Sequence, residues 1–209
     1  ENCGRSHGLK EHLGGKPVPA MDSEVDASED PLFDPRRYVH LDFALDANRI
    51  NSRQQLDPVN QLERWYEDGV IQLSMPEVAH DEARHGNDVR RSRKVGGHLY
   101  SKTEARTSEQ KAMLHQIEMI LADGKLLDLN TQHDAQICFC AGMDREILVT
   151  ADNGILKQKA PLAQMGIQVM SDHEAVELVR QEISRRDDLA RVDRAVDLGI
   201  GHAKLMRDQ

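Results

Sequence analysis

The chain has 209 residues, a length that suits one domain with appendages or two small domains. Its 39% hydrophobic residues can build a core, and because no apolar run approaches the roughly 20 residues of a membrane span, we expect no membrane segment. The net charge of −9 is not the global signature of a nucleic-acid-binding protein.

The first third of the chain predicts an arm, a strand and a helix. Residues 1–37 mix Gly, Pro, Ser and acidic residues without periodicity, which is typical of a poorly ordered arm. The stretch YVHLDFALD (38–46) alternates and then becomes apolar, and it predicts a strand that ends on an acid. Residues 52–69 have a helical apolar face, with a helix that begins at Asp57 and stops at Gly69.

The middle of the chain predicts a second strand followed by two helices. VIQLSM (70–75) is the strand, and 76–94 opens with Pro and continues as a helix weakened around Gly86. Residues 95–102 predict a loop. The clearest amphipathic helix lies at 107–124.

Strands and helices also alternate in the last part of the chain. We predict a helix at 131–143, strands at 147–150 and 166–171, a short helix at about 154–160, and an amphipathic helix at 172–186. Strands that alternate with helices indicate βαβ units, so the predicted fold class is α/β, a three-layer α/β/α domain with a mainly parallel central sheet. The predicted organisation is an arm (1–37), a central domain (38–180) and a C-terminal helical tail (181–209).

Four acidic residues fall at equivalent places in these elements. Asp46 ends the first strand, Glu82 lies on the helix after the second, Asp134 lies in the first turn of helix 131–143, and Asp152 ends or just follows strand 147–150. Ligands of an open parallel sheet bind outside the carboxyl ends of its strands, so we expect these acids to converge there.

Each acid also has a purely structural explanation. Asp134 would suit a helix dipole, Asp152 a turn, Asp46 a cap, and Glu82 an exposed helix surface. Glu77 is an alternative to Glu82, but the two lie roughly 140° apart on a helix, so only one can face a common site.

Converging carboxylates repel one another and are costly to desolvate unless a cation neutralises them. Oxygen ligands suit Mg²⁺ or Mn²⁺. Such a metal lowers the pKa of a bound water and stabilises charge on a phosphodiester during in-line attack, which predicts nuclease chemistry.

The positive charge of the chain is concentrated in one stretch. From Arg84 to Lys111 there are eight basic residues against three acidic ones. This stretch is either a solvated helix and loop or a surface that binds a polyanion. Lys157 and Lys159 are weaker candidates for such contacts, and the main nucleic-acid-binding candidates are Arg90, Arg91, Arg93, Lys94, Lys102 and Arg106.

Four stretches, FALDANRIN, MPEVAHDEA, HDAQICFCAGMDREILVTADNGIL and MGIQVMSDHEAVELV, together resemble the PIN domain family, with toxin-type members among the closest in motif. The resemblance covers about 38–180. It implies an endoribonuclease that hydrolyses phosphodiester bonds with a water activated by Mg²⁺ or Mn²⁺. It implies that the catalytic and metal-binding residues are Asp46, Glu82, Asp134 and Asp152, supported by Asn48 and Thr150.

The resemblance makes a toxin–antitoxin RNase the leading role, with RNA processing or decay next. The long basic stretch and the arm depart from compact toxin members. The resemblance leaves open whether the chain binds an antitoxin protein and whether it forms a homodimer. The alternatives are a non-catalytic PIN-like module that binds RNA or protein and, at lower odds, a phosphoacceptor receiver domain.

Three cysteines are too few for a disulfide framework, and Cys138 and Cys140 lie in an apolar run where buried thiols are usual. A reducing, cytoplasmic location is therefore expected. The start at Glu1 rather than Met indicates trimming or a fragment. The histidines His80, His85 and His133 are interpreted as surface or supporting residues.

Overall fold

The structure is a computed structural model that describes residues 38–85, 88–97 and 99–197. The predicted arm (1–37) and the end of the predicted tail (198–209) lie outside the described residues.

The described residues form one all-parallel sheet with the strand order β3-β2-β1-β4-β5. Helices flank the sheet, so the predicted α/β fold class is confirmed. The strands are β1 (Asp42–Leu45), β2 (Gln72–Pro76), β3 (Leu99–Ser101), β4 (Ile147–Val149) and β5 (Val169–Met170).

Helices connect these strands, and a 3-10 turn (Ala47–Arg49) follows β1. The helices are α1 (Asp57–Glu67), α2 (Glu77–Arg84), α3 (Val89–Val95), α4 (Ser108–Ala122), α5 (Leu129–Asp144), α6 (Asn153–Lys157), α7 (Lys159–Gln164) and α8 (Asp172–Asp197). Helix α1 packs against α8, and α4 packs against α5. Across the described residues, no helix combines the length and the apolar character needed to cross a membrane.

The two central strands are buried on both faces. Phe43, Ala44 and Leu45 of β1 are buried in succession, as are all three residues of β4. Strands covered on both sides are continuously apolar rather than alternating. The first polar residue after each strand, Asp46 and Thr150 respectively, therefore stands at the edge of the sheet.

The start of α5 differs from the prediction. The cap is Asp128, whose Oδ1 accepts a 2.8 Å hydrogen bond from Thr131 N, so the helix begins at Leu129 rather than at Thr131. Asp caps a helix well because its side chain accepts from a backbone N–H that has no partner in the helix. Asp134 consequently lies in the second turn of α5, not in its first.

Three further predictions about elements were wrong. The predicted loop 95–102 contains β3, an edge strand whose three residues are too few to show a period. The predicted helix 76–94 is two helices, α2 and α3, and the short helix at about 154–160 is α6 followed by α7. Helix α8 continues past residue 180 to Asp197, and the predicted division of the chain into arm, domain and tail stays a prediction.

Candidate active site

The order of the strands places a crevice between β1 and β4. The chain extends from β1 towards β2 and β3 on one side and returns to β4 and β5 on the other, so this is the point where the order reverses. Ligands of open α/β sheets bind outside the carboxyl ends of the strands at such a point. Leu45 pairs with Val149, and Asp46 N donates a 3.0 Å hydrogen bond to Val149 O, so both strands end level.

A cavity of about 460 Å³ opens at this crevice. The four predicted acids all line it, although they come from the segments after β1 and β4 and from the helices α2 and α5. The complete lining is Asp46, Ala47, Asn48, Glu82, Arg91, Asn130, Asp134 and Asp152. The tertiary structure therefore brings together the four carboxylates that the sequence separates by up to about a hundred residues.

Asp46 is a buried carboxylate held by two side chains. Its Oδ2 accepts hydrogen bonds from Thr150 Oγ1 at 2.5 Å and from Asn48 Nδ2 at 2.7 Å. Asn48 is held in turn by Ala151 N, which donates to its Oδ1 at 3.1 Å. Burial raises the pKa of Asp46, the bond from Thr150 opposes that rise, and the nearby charges of Glu82 and Asp152 add to it.

Asp152 serves as a helix cap and also lines the cavity. Its Oδ1 accepts from Gly154 N at 2.6 Å and from Ile155 N at 3.0 Å, which caps α6. A Cβ at Gly154 would lie 2.9 Å from that same oxygen, so a larger residue there would force the carboxylate of Asp152 to shift. Both cap bonds use Oδ1, which leaves Oδ2 for a ligand of the cavity.

Of the four carboxylates, Asp134 has the fewest hydrogen bonds that stabilise its charged form. No hydrogen bond from a described residue stabilises its charged form. Burial raises its pKa to about 7, and the charges of Asp152, Asp46 and Glu82 contribute to the rise. A group in this position gains from any cation that enters the cavity.

The choice between the two glutamates of α2 follows from the contacts of each. Glu82 lines the cavity, and its Oε1 lies 2.9 Å from His133 Nδ1. Glu77 points elsewhere and bonds Lys102 Nζ at 3.1 Å. His133 thus contacts a cavity acid, whereas His80 is buried and stacks on Tyr100, so its interpretation as a surface residue was wrong.

The basic candidates do not form one surface around the cavity. Of the six main basic candidates, only Arg91 lines the cavity in the described part of the chain. Its Nη2 donates a 2.8 Å hydrogen bond to Ala47 O. Lys94 is half-buried and pairs with Glu63 at 2.6 Å, so it acts as a structural ion pair. Arg90 and Arg93 are exposed.

The remaining basic candidates are exposed or engaged in surface ion pairs. Lys102 bonds Glu77 and lies 3.6 Å from Glu104, and Arg106 lies 4.0 Å from Glu104. Among the weaker candidates, Lys157 is exposed and Lys159 pairs with Glu174. Binding of a polyanion by Lys102, Arg106 or Lys159 would therefore require their present ion pairs to open.

Two features of the site were missed in the sequence. Asn130 lines the cavity because Asp128 starts α5 earlier than predicted. Arg49 and the buried Asp172 form a 2.7 Å ion pair that joins the turn after β1 to the start of α8. The cap residue Asp128 was the available signal for Asn130, but nothing local could pair residues 123 positions apart.

The donor chemistry of the cavity fits a hard divalent cation. Within residues 38–85, 88–97 and 99–197, no group of three or more His, Cys, Asp or Glu side chains is arranged so that it could hold a metal ion as it stands. Mg²⁺, however, commonly uses only one or two protein carboxylates and keeps several waters. The carboxylates of Asp134 and Asp152 offer oxygen ligands whose mutual repulsion such a cation would relieve.

Comparisons with known proteins add little. No family model matches the sequence, and no curated protein matches it. One similar solved structure is a chain of VapBC2 from Rickettsia felis bound to a DNA fragment from their promoter. The identity is 12%, the match covers 63% of this chain and 98% of that chain, and the TM-score is 0.46. At that TM-score the likeness carries no argument about activity.

Proposed function

We propose that this protein is a divalent-metal-dependent endoribonuclease with a PIN-like fold. The observation that carries the proposal is the single cavity lined by four carboxylates at the switch point of a parallel sheet. Burial, with a smaller contribution from the neighbouring carboxylates, disfavours the charged forms of Asp46 and Asp134 and raises their pKa values. Such a cost is understandable where the charges hold a cation.

The side chains at the cavity would have different roles. Asp46, Asp134 and Asp152 hold the cation, and Glu82 completes the set. A bound Mg²⁺ or Mn²⁺ would supply an activated water and stabilise the charge on the phosphodiester. Thr150 and Asn48 keep Asp46 Oδ2 in place, which is the role that supporting hydrogen bonds have at metal sites.

The substrate and the biological setting extend this proposal. RNA as substrate is supported by the resemblance of four sequence stretches to the PIN family, by Arg91 at the cavity, and by the exposed Arg90 and Arg93 of the same helix. A toxin–antitoxin RNase in the cytoplasm, with an antitoxin protein as partner, is the leading role, and RNA processing or decay is second. Homodimer formation belongs to the same proposal.

The second candidate is a non-catalytic module that binds RNA or protein. It is favoured by one observation, namely that no group of three metal-ligating side chains is preassembled among the described residues. A phosphoacceptor receiver domain is not supported, because receiver domains have the strand order 2-1-3-4-5, whereas the sheet here has the order 3-2-1-4-5.

The decisive experiment is cleavage of a mixed RNA pool with Mg²⁺, with Mn²⁺ and with chelator. Asp152→Asn is the sharpest variant, because Asn caps helices as well as Asp does and so removes the charge while keeping the start of α6. Asp46→Asn tests a second ligand, and Asp144→Asn, on the exposed end of α5, is the control.

We expect metal-dependent cleavage by the wild type and by Asp144→Asn, and none by the other two variants. Thermal unfolding gives a second readout, since a metal at about 100 times its Kd stabilises the folded state by about 2.7 kcal/mol. Mg²⁺ should raise the Tm of the wild type more than that of Asp152→Asn. RNA binding without cleavage, equal in all variants, would instead establish the non-catalytic module.

A further inference from the structure

Arg91 differs from the other basic candidates in its surroundings. It lies on α3, and its guanidinium extends to the wall of the acid cavity, where Nη2 donates to the carbonyl of Ala47. Ala47 directly follows Asp46. A positive charge is therefore fixed beside the four carboxylates of the cavity.

The charge of Arg91 is not neutralised by those carboxylates. Lys94, three residues later on the same helix, lies 2.6 Å from Glu63 Oε1 and donates to Asn51 O at 3.0 Å, so its charge is compensated within the fold. Arg91 has no carboxylate within ion-pair distance in the described part of the chain, and its only side-chain hydrogen bond there is the one to Ala47 O. The two residues thus share a helix face but have different electrostatic surroundings.

One donor of Arg91 is buried without a partner. Its Nε is inaccessible to solvent and makes no hydrogen bond with any described residue. A buried donor left in this state costs about 1–3 kcal/mol, and native structures seldom keep one without a reason. The fold therefore leaves part of the hydrogen-bonding capacity of this guanidinium unused.

The chemistry of that ligand follows from the two sets of groups. A guanidinium presents a planar fork of N–H donors that matches phosphate oxygens. Carboxylates alone repel a phosphate because both are negatively charged, whereas a cation bound by the carboxylates attracts the phosphate. Arg91 and a carboxylate-bound cation would therefore approach the same phosphate from two sides of one cavity.

We propose that Arg91 contacts the phosphate whose ester bond is cut, whereas the other basic candidates contact the RNA backbone outside the cavity. This inference rests on the proposed nuclease function. It makes Arg91 a catalytic residue that stabilises charge on the phosphate, in addition to the four acids.

The first test measures binding without cleavage. A labelled single-stranded RNA is titrated by fluorescence anisotropy against Asp134→Asn protein in Mg²⁺ over a range of salt concentrations, with and without Arg91→Gln. Losing one phosphate contact should lower the slope of log K against log salt by about 0.7 for a single strand. Arg64→Gln, an exposed arginine of α1, is the charge-matched control and should leave the slope unchanged.

The second test measures single-turnover cleavage at saturating RNA. Arg91→Gln should lower the rate constant by about 100-fold or more, the usual effect of removing one preorganised donor at the reacting group. Arg91→Lys covers the case in which Arg91→Gln does not fold, because it keeps the positive charge and the aliphatic stem of the side chain. It should keep the salt slope and lose at least about tenfold in rate.

The outcomes separate the two proposals. Wild-type cleavage with an unchanged rate in both Arg91 variants overturns the role of Arg91 and leaves the nuclease intact. If the wild type cuts nothing, the nuclease proposal fails, and with it the catalytic role of Arg91. In that case the salt dependence of RNA binding still tests whether Arg91 contacts a phosphate. If Arg91→Gln leaves the slope of log K against log salt unchanged, that contact is overturned as well.

Discussion

Thr150 and Asp46 are joined by a 2.5 Å hydrogen bond from Thr150 Oγ1 to Asp46 Oδ2, across 104 positions of the chain. Thr150 Oγ1 also accepts from Asp152 N at 2.9 Å. One hydroxyl therefore positions two of the four cavity acids, one through its side chain and one through its backbone.

Thr150→Val tests this connection, because it removes the hydroxyl and nearly preserves the volume. Hydrogen bonds to charged groups contribute about 1.5–3 kcal/mol, and Asp46 is buried. We expect the free energy of unfolding to fall by an amount in that range, as measured by urea denaturation. Thr103→Val is the control, since its hydroxyl bonds the exposed Asp144 and its loss should cost about 0.5 kcal/mol.

The pKa of Asp134 predicts how the stability of the metal-free protein depends on pH. The folded pKa of about 7 lies above the ordinary value of 3.8, so between these values the folded protein binds a proton that the unfolded chain has lost. Stability contributed by this proton is present at low pH and is lost as the pH rises through about 7. Asp134→Asn does not titrate, so its stability relative to the wild type should increase over this window.

The comparison is made by urea denaturation with chelator at about pH 4.5 and about pH 8. Asp144→Asn, at the exposed end of the same helix, should keep a constant difference from the wild type at both values. An advantage of Asp134→Asn that is equal at both pH values would refute the raised pKa. Adding Mg²⁺ at the higher pH should reduce the advantage, because the cation neutralises the charge that the variant removes.

Glu82→Gln and Glu77→Gln form a matched pair on α2. Each removes one negative charge from the same helix, but only Glu82 lines the cavity, while Glu77 bonds Lys102 on the surface. Loss of a residue at a metal site typically lowers activity or metal affinity about 10–100-fold. We expect such a loss of RNA cleavage for Glu82→Gln at limiting Mg²⁺ and nearly unchanged cleavage for Glu77→Gln. Equal effects of the two changes would mean that general charge, not position, matters.

Arg49→Ala tests the ion pair that joins the turn after β1 to α8. Arg49 Nη1 lies 2.7 Å from Asp172 Oδ2, and the two side chains are 15% and 10% exposed. Removing one partner of a buried pair costs about 3–5 kcal/mol, because the other charge stays buried. Arg180→Ala breaks an exposed pair with Glu177 and should cost at most about 1 kcal/mol. If the double variant Arg49→Ala with Asp172→Ala is no more stable than Arg49→Ala, the buried charge is not the cause.

Asp46 and Asp152 could be predicted because each follows a buried strand, whereas Glu82 and Asp134 were predicted from their places on helices. An apolar run followed by Asp, as at Leu45–Asp46, tells where a central strand leaves the core. The helical rotation between Glu82 and Glu77 predicted that only one of them faces the site, and Glu82, the one chosen from the sequence, lines the cavity. The start of α5 was placed two residues late because Thr131 and Asp128 are both good capping residues.

The basic residues show what could not be predicted. Arg91 and Lys94 look alike in the sequence, yet one faces the acid cavity and the other pairs with Glu63, 31 residues earlier. Ion pairs depend on which surfaces pack together, and no local pattern contains that information. The same holds for Arg49 and Asp172.

The sequence by itself determined the alternation of strands and helices, the parallel sheet and the four acids at its edge, because these follow from short-range periodicity and from where polar residues interrupt apolar runs. Only the tertiary structure decided that the order of the strands brings β1 beside β4, that the four carboxylates share one cavity, and that Arg91 reaches into it. The physical reason is that a site is made by contacts between distant segments, whereas patterns in the sequence report only on neighbours within a few residues.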